Sequence, residues 1–357
     1  MLGILILLFC GTAFAQSRLE LIHADVSRGT VTAAGEAIRI LEGNVHARQD
    51  TLDIFCDQAV FHPVTEEVVL TGNVFIRRGV EELTARKVTY YDRRKLAIAE
   101  TNVHVSRPSQ HLYAEYLEYY YQTDQAYART HLLLIDEKSA AYITAWEGDY
   151  LPGENRAEVR RNAHFWQIDS TSGDTLHIYA RVMDYFFSPK RVAIARDSVH
   201  IIRGDMVAQC DSAYYDMEAG HAFLEKNPRA HQQNNRLSGK QMELIFNEMK
   251  IEKVIVREQA LATSVEDSLT GKVDRLTGRE IIGFIKNDQL NQLWAVSNAR
   301  SLYYIKDEGE IQGLNTASAD TIKVFFKENE VDYITVIGGA QGVYYPSSYK
   351  GNIDTGF

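Results

Sequence analysis

Histidine is the residue whose spacing in this sequence most suggests chemistry, because it recurs at one position of a repeated motif. His46, His104, His164 and His200 each stand two residues after an Asn or the position equivalent to it. Imidazole is a common metal ligand, so such a column could form a ladder of metal sites. However, Phe75 interrupts the column, and no carboxylate recurs in register with it. We therefore expect solvent-facing histidines and no metal site.

Catalytic signatures are absent from the sequence. It contains no G-x-S-x-G, H-E-x-x-H, C-x-x-C or G-x-x-x-x-G-K-[ST] motif. Gly239-Lys240 and Gly271-Lys272 lack the rest of a phosphate-binding loop, and the 48 Asp and Glu residues single out no pair for glycosidase chemistry. We therefore expect a protein that is not an enzyme and that carries no cofactor.

Basic clusters and tyrosine pairs could also bind ligands. Arg77-Arg78, Arg93-Arg94-Lys95 and Arg160-Arg161 could contact lipid phosphates, but charge also protects exposed strand edges, and we favour that second interpretation. Tyrosine pairs such as Tyr90-Tyr91 and Tyr214-Tyr215 could stack on sugars. A packed ring with a wet hydroxyl is the commoner arrangement, and we expect it here.

The composition is that of a folded globular protein. The chain has 357 residues, of which 45% are hydrophobic and 24% charged, so it is long enough to bury a sizeable core. The 38 Lys and Arg residues against 48 Asp and Glu give a net charge of -10. A nucleic-acid-binding protein needs a basic surface to neutralise phosphates, so we expect no nucleic-acid partner.

The first fifteen residues read as a signal peptide. Residues 1–15 are apolar and end in Ala13-Phe14-Ala15, a small-x-small cleavage pattern before Gln16, although no Lys or Arg precedes the apolar run. The stretch is too short to span a bilayer. Cys10 leaves a lipoprotein anchor open as an alternative, although Phe9 fits that motif poorly. We expect an exported protein.

The two remaining cysteines occupy similar contexts, Cys56-Asp57 and Cys210-Asp211. They resemble equivalent positions about five repeats apart, which at about 4.8 Å per strand separates them by at least ~24 Å. A disulfide needs Cα atoms within about 7 Å. We therefore predict two small core residues rather than a disulfide.

One repeat organises the chain. Segments 41–47, 70–76 and 99–105 align without gaps, and Asn44, Asn73 and Asn102 are 29 residues apart. Weaker copies follow at intervals that grow to about 40 residues. They lie at Arg161-Asn162, Asp197-Ser198, Lys226-Asn227, Asn298-Ala299 and Gly339-Ala340. We predict one continuous array over residues 16–345 and a mobile tail over residues 346–357.

The hydrophobic period within each repeat is two, which predicts strands. Val45 and Ala47 alternate with polar residues, and so do later runs such as Leu52–Cys56. Gly43-Asn44 and Gly72-Asn73 suit hairpin turns because both residue types tolerate positive φ. Strands of about five to eight residues would then number about 34 and pair antiparallel.

The repeat resembles the OstA-like family, which includes the lipopolysaccharide-transport protein A family. Gly43-Asn44-Val45 and Gly72-Asn73-Val74 carry the resemblance, as does the run Leu83–Asp92. The opening segment Leu19–Asp25 resembles the family's first strand. The resemblance is strong over residues 18–122 and remains traceable to about residue 345.

The resemblance implies an all-β fold, an elongated antiparallel V-shaped β-jellyroll, or β-taco, built from 29–40-residue repeats. It implies a periplasmic protein that bridges to the outer membrane and holds the lipid A acyl chains of lipopolysaccharide in an apolar cleft. It also implies edge-strand pairing with other jellyroll-type lipopolysaccharide-transport proteins, and possible self-association. This array is longer than a minimal family domain, and its acidic charge is unfavourable for binding anionic phosphates.

Apolar residues at matching positions of the first repeats are the candidates for lining this cleft. They are Val45, Ala47, Leu52, Ile54, Val74, Ile76, Leu83, Val103, Val105 and Leu112. The same period-two pattern would also suit a closed sandwich core.

Two other function classes remain open. One is a parallel β-helix enzyme that acts on polysaccharide, and the other is a structural or surface repeat protein without a ligand. Strand direction separates the first from a jellyroll, because hairpins require antiparallel neighbours.

Overall fold

The computed structural model describes residues 19–169, 173–186, 189–247, 250–267, 271–287, 289–307, 310–327 and 330–353. The predicted signal peptide, its cleavage site and Cys10 lie outside these residues. The chain divides into two compact units, residues 1–189 (unit 1) and residues 190–357 (unit 2). The prediction of one continuous array over residues 16–345 stays a prediction.

The described residues of unit 1 form twelve strands and two short 3₁₀ turns. The turns are Asp92–Arg94 and Pro152–Glu154. The strands are β1 Glu20–His23, β2 Val26–Val31, β3 Ala37–Gln49, β4 Leu52–His62, β5 Glu67–Arg78, β6 Glu81–Tyr91, β7 Leu96–Arg107, β8 Gln110–Tyr120, β9 Gln125–Asp136, β10 Ala141–Leu151, β11 Arg156–Ile168 and β12 Thr175–Phe186.

In unit 2, too, twelve strands lie within the part of the chain that the structure describes. They are β13 Val192–Arg203, β14 Met206–Asp216, β15 His221–Glu225, β16 Arg229–Gln232, β17 Asn235–Ser238, β18 Gln241–Asn247, β19 Lys250–Asp267, β20 Lys272–Lys286, β21 Gln289–Asp307, β22 Glu310–Lys327, β23 Glu330–Ile337 and β24 Gln341–Pro346.

The strands form antiparallel meanders, which confirms the predicted all-β antiparallel fold class. In unit 1, β3 to β12 pair in sequence order, and β1 and β2 both pair with β3. In unit 2, β19 to β22 likewise pair in order. Every pairing recorded among the described residues is antiparallel, so a parallel β-helix does not describe them. The predicted strand number was too high, because the described residues form 24 strands, most of which exceed ten residues.

The Gly-Asn pairs are bulges inside strands, not hairpin turns as predicted. Gly43 and Asn44 have φ values of 74° and 44° in the middle of β3, where the register with β4 shifts. Gly72 and Asn73 do the same in β5. The hairpin between β3 and β4 turns instead at residues 50–51. The tolerance of positive φ was correctly inferred, but a β-bulge uses it as readily as a turn does.

The bulges recur through both units. Thr101-Asn102, Arg161-Asn162 and Asp197-Ser198 all have positive φ, as the repeat predicted. Ser297-Asn298 has the same conformation, and so do Thr130-His131 and Glu258-Gln259, although the last two pairs contain neither Gly nor Asn. The residue after each of these pairs points into the core. The residues at this position with exposed fractions of 2% or less are Val45, Val74, Val103, Leu132, Ala163, Val199, Ala260 and Ala299.

The bulges divide the sheet of unit 1 into two halves. Each strand is divided at the level of the bulges. Half A contains the segments towards the end of the sheet where the turn at residues 63–66 lies, and half B contains the segments towards the opposite end, where the turn at residues 50–51 lies. Apolar side chains from both halves form one core that runs from Val45 in β3 to Ala163 in β11. Among the described residues, no helix is long and apolar enough to span a membrane.

Candidate functional site

The ten candidate cleft residues all lie on the inner face of unit 1. The first nine are buried members of one apolar cluster, and Leu112 is partly buried and packs against that cluster. Pairs such as Val45 with Cys56 and Ile54 with Ile76 stand directly opposite each other in the ladder. The period-two pattern therefore identified the buried face, and the structure brings these residues together on it.

A groove opens on this inner face between the two halves of the sheet, in the part of unit 1 formed by β6 to β11. The unfilled space between its walls is about 720 Å³, a figure that includes open solvent. Of the ten candidate residues, Val105 and Leu112 line the groove.

Apolar side chains from both halves form the walls of the groove. Leu112 and Leu134 belong to half B, whereas Leu117 and Ala128 belong to half A. Leu132 follows the bulge of β9 and lies at the boundary between the halves. The bend at each bulge therefore turns the two inner faces towards one another.

Tyrosine and alanine alternate across the strands at the half-A edge of the groove. Ala97 stands opposite Tyr119, Tyr119 opposite Ala126, and Ala126 opposite Tyr150. Ala157 continues the series opposite Tyr150. We call this series, with Tyr90 and Tyr185 beyond its ends, the tyrosine row. Large rings fit side by side on one face because each neighbouring strand supplies only a methyl group.

The tyrosine row confirms the packed rings expected from the sequence but not the wet hydroxyl. Tyr119 is only 4% exposed and Tyr185 only 6%, so both rings are packed inside. Tyr119 keeps its hydroxyl satisfied by donating a hydrogen bond of 2.5 Å to Oδ1 of Asp124. Tyr120, the next residue, lies on the other face and donates a hydrogen bond of 3.4 Å to Glu118.

Charged groups surround the groove. Arg107 and Glu81 form an ion pair on the half-B side, with Asp124, Asp149 and Glu158 on the half-A side. Burial, reinforced by the negative charge of Asp124, raises the pKa of Tyr150 to about 12. The rim therefore holds neutral phenols and more carboxylates than guanidinium groups.

Arginine neutralises most of the carboxylates on the half-A side. Arg160 contacts Glu147 at 2.8 Å, Asp149 at 2.5 Å and Glu158 at 2.9 Å. Arg129 contacts the other oxygen of Asp149 at 2.5 Å. Hydrogen bonds to these carboxylates keep Arg160 charged and raise its guanidinium pKa despite its burial.

The basic clusters found in the sequence also pair with carboxylates. Arg77 lies 3.7 Å from Asp53, and Arg93 lies 3.3 Å from Glu66. Arg161 lies 3.0 Å from Glu147. These ion pairs are consistent with arginines that protect the outside of the sheet rather than arginines that bind a lipid phosphate.

The histidine column lies on the outer face, but not as a set of free solvent-facing rings. His46 stacks on Phe55 at 4.3 Å, His104 on Tyr113 at 4.2 Å, and His164 on Tyr179 at 4.1 Å between ring centroids. These three histidines are half-buried, whereas His200 is exposed as predicted. No group of three or more His, Cys, Asp or Glu side chains that could hold a metal is present in the part of the chain that the structure describes.

Cys56 and Cys210 are buried core residues with free thiols, as the sequence predicted. Burial is the main cause that raises the pKa of each thiol to about 11. Both thiols are therefore protonated and poorly nucleophilic at neutral pH.

The sequence missed the groove-lining residues of the later repeats. Leu117, Leu132, Leu134 and Val159 belong to the wall but not to the ten candidates. The bulge that precedes Leu132 is formed by Thr130-His131, so its Gly-Asn signal is lost. The interval of 29 residues from Asn102 to His131 would have located it.

Comparison with known proteins supports the resemblance over part of the chain. Residues 16–171 match the family described as OstA-like protein. No curated protein sequence matches this chain significantly.

Two solved structures illustrate the structural neighbourhood. One is LptH from Pseudomonas aeruginosa, the LptA-homologous periplasmic component of the lipopolysaccharide transport device. It is 18% identical, has a TM-score of 0.30, and the alignment covers 39% of this chain and 93% of LptH. The other is the WD40 domain of SCAP from fission yeast, with 9% identity, a TM-score of 0.13 and coverage of 95% and 92%.

Proposed function

We propose that this protein acts in lipopolysaccharide transport in the periplasm and holds lipid A acyl chains in the groove of unit 1. The groove between the two halves of the sheet is the observation that carries the proposal. The match of residues 16–171 to the OstA-like family supports it. The periplasmic location also depends on residues 1–15, which read as a signal peptide.

The chemistry of the groove suits hydrocarbon chains. Its walls are built from Val, Leu and Ala side chains, and shielding one methylene from water is worth about 0.8 kcal/mol. Several methylenes are therefore held without a specific polar anchor. The nine buried candidates continue the same inner face towards β3, and we propose that an acyl chain advances by separating the two halves there.

The rim suits a ligand whose head group stays outside. Arg107 is paired with Glu81, and Arg160 is shared among three carboxylates. A lipid phosphate placed inside the rim would face Asp124 and Asp149 without a free cation to balance it. We propose that the phosphates and sugars remain in solvent while the acyl chains enter.

The first strands offer a place for a partner. Among the described residues, β1 and β2 pair only with β3, so their outer edge presents backbone groups. Ile22, Val26 and Val31 are exposed along this edge. We propose that another jellyroll-type lipopolysaccharide-transport protein, or a second copy of this chain, adds a strand here.

A binding experiment with a groove-filling variant tests the proposal. Ala126 lies between Tyr119 and Tyr150, so Ala126→Phe fills the entrance, whereas Val80→Phe adds the same ring at an exposed turn. Lipopolysaccharide should bind the native chain and Val80→Phe equally, and should bind Ala126→Phe at least tenfold more weakly. Polysaccharide released from lipid A should not bind. Equal binding to all three proteins would contradict an acyl-chain groove.

A structural repeat protein without a ligand is the second candidate. The nine buried candidates favour it, because each is less than 9% exposed in a filled core. Depletion of the protein in its own cells separates the two roles. Transport predicts that lipid A fails to reach the outer leaflet, whereas a ligand-free scaffold predicts normal delivery of lipid A.

A further inference from the structure

Two histidine pairs on the outer face of unit 1 share one geometry. Nε2 of His104 lies 3.1 Å from Nδ1 of His111, and Nε2 of His164 lies 3.1 Å from Nδ1 of His177. The first histidine of each pair belongs to the repeated column, whereas His111 and His177 lie outside it. For that reason the sequence pattern alone did not show the pairs.

The surroundings of the two pairs are also equivalent. Tyr113 stands directly opposite His104 in the ladder, and Tyr179 stands directly opposite His164. In each case the tyrosine is parallel to its histidine, with interplanar angles of 1° and 10°. Stacking of this kind restricts the orientation of the first ring, so the paired nitrogen atoms stay close together before any ligand arrives.

We propose that each pair, His104 with His111 and His164 with His177, binds one divalent transition-metal ion through two imidazole nitrogens, with water completing the coordination.

The separation of the nitrogen atoms fits this role. A metal–nitrogen bond is about 2.0–2.1 Å long, so two nitrogens of a tetrahedral site are about 3.3 Å apart. At 3.1 Å the two nitrogens of each pair face each other, so both rings must turn their lone pairs towards a metal at the side of the pair. The metal takes the place of the proton shared by the two nitrogens, and His104 then carries its proton on Nδ1, so the charge of each imidazole is unchanged.

The protein also keeps the first histidine of each pair in the form that binds metals. Burial is the main cause that lowers the pKa of His104 and of His164. The second cause is the paired histidine, which is His111 for His104 and His177 for His164. The imidazoles of His104 and His164 are therefore neutral at neutral pH, and a neutral imidazole is the form that binds a metal.

Glu137 adds a feature to the first pair. Its Oε1 lies 3.4 Å from Nε2 of His111, the nitrogen that faces away from His104. A carboxylate that accepts the other ring N–H of a histidine leaves the first nitrogen free to bind metal and strengthens it as a ligand. We therefore expect the pair of His104 and His111 to bind more tightly than the pair of His164 and His177.

Copper(II) is the most sensitive probe, because the affinity of a nitrogen-ligand site is higher for Cu²⁺ than for Zn²⁺ or Ni²⁺. Calorimetric titration of the native chain should give two equivalents. His111→Ala and His177→Ala should each leave one equivalent, and the double variant should leave none of comparable affinity. His62→Ala is the control, since His62 contacts Glu36 rather than a second histidine, and it should retain both equivalents.

A variant that leaves both histidines in place separates ligation from folding. Glu137→Gln should weaken only the first equivalent, by about 10–100-fold. Electron paramagnetic resonance of the native chain should show two nitrogen ligands on each copper. Two equivalents retained by the double variant, or copper signals without nitrogen coupling, would overturn the proposal.

Discussion

Across the bulge between β4 and β5, the side-chain amide of Asn73 donates a hydrogen bond of 2.9 Å to Oδ2 of Asp57. The same bond of 3.0 Å joins Asn44 to Asp25 one repeat earlier. In both places the glycine that precedes the asparagine lies against the same carboxylate. The Gly-Asn pair and the aspartate beside it therefore form one unit that fixes where the strand bends.

Replacing the bulge glycine by alanine should destabilise unit 1. Gly72 has a φ of 71°, and a Cβ at this position would overlap the carboxylate of Asp57. Gly79 is the matched control, because it has a φ of 59° but open space around it. The left-handed conformation costs about 1–2 kcal/mol in both variants. Gly72→Ala should lose about 1–3 kcal/mol more, measured as free energy of unfolding in urea. Equal losses would show that Asp57 does not restrict the bulge.

Truncation of a core leucine should be far more costly than truncation of a turn residue. Leu70 is 3% exposed in the core of unit 1, whereas Val80 is 69% exposed in the turn between β5 and β6. Leu70→Ala should lower the free energy of unfolding by about 2–5 kcal/mol because it leaves a cavity. Val80→Ala should change it by less than about 0.5 kcal/mol. A small effect of Leu70→Ala would indicate a loosely filled core.

Alkaline pH should destabilise the protein partly through Tyr90. Burial raises the pKa of Tyr90 to about 12, against an ordinary value of 10, and the charge of Arg78 only partly opposes this. The stabilising contribution is complete below pH 10 and is lost as the pH rises towards 12, because the unfolded phenol ionises first. Urea unfolding of native and Tyr90→Phe proteins between pH 8 and pH 11.5 measures the difference. If both lose stability in parallel, Tyr90 has no part in it.

The two core thiols should be almost unreactive while the protein is folded. The pKa of about 11 for Cys56 and Cys210 leaves very little thiolate at pH 8. Iodoacetamide should therefore label neither residue until urea unfolds the chain, as read for each residue by peptide mass spectrometry. Rapid labelling of either cysteine under native conditions, or a disulfide between them, would contradict the structure.

The sequence predicted the repeat and its buried face, because period two is a property of the strand itself. Val45, Val74 and Val103 are buried as expected, and the all-β antiparallel class follows from the same pattern. Whether the Gly-Asn pairs form hairpin turns or bulges could not be predicted, because both structures use residues with positive φ. Which of the two forms depends on pairing with the neighbouring strand, for example on Asp57.

The groove depends on tertiary structure that period two does not record. Leu112 and Leu117 are five residues apart on β8, yet they lie in opposite halves of the sheet because the bulges of the neighbouring strands β7 and β9 fall between them. An alternating pattern gives the face of each residue but not the angle between the two halves. The pattern therefore left an open cleft and a closed core both possible, and the family resemblance alone favoured the cleft; only Val105 and Leu112 of the ten candidates reach the groove.

Photo-crosslinking at two adjacent residues tests the acyl-chain groove most directly. Leu112 lines the groove, whereas Tyr113 points to the outer face and is 37% exposed. With p-benzoylphenylalanine at position 112, ultraviolet irradiation of living cells should join the protein to lipopolysaccharide, and with the same residue at position 113 it should not. Crosslinking at position 113 alone, or at neither position, would contradict the claim that the inner face carries lipid.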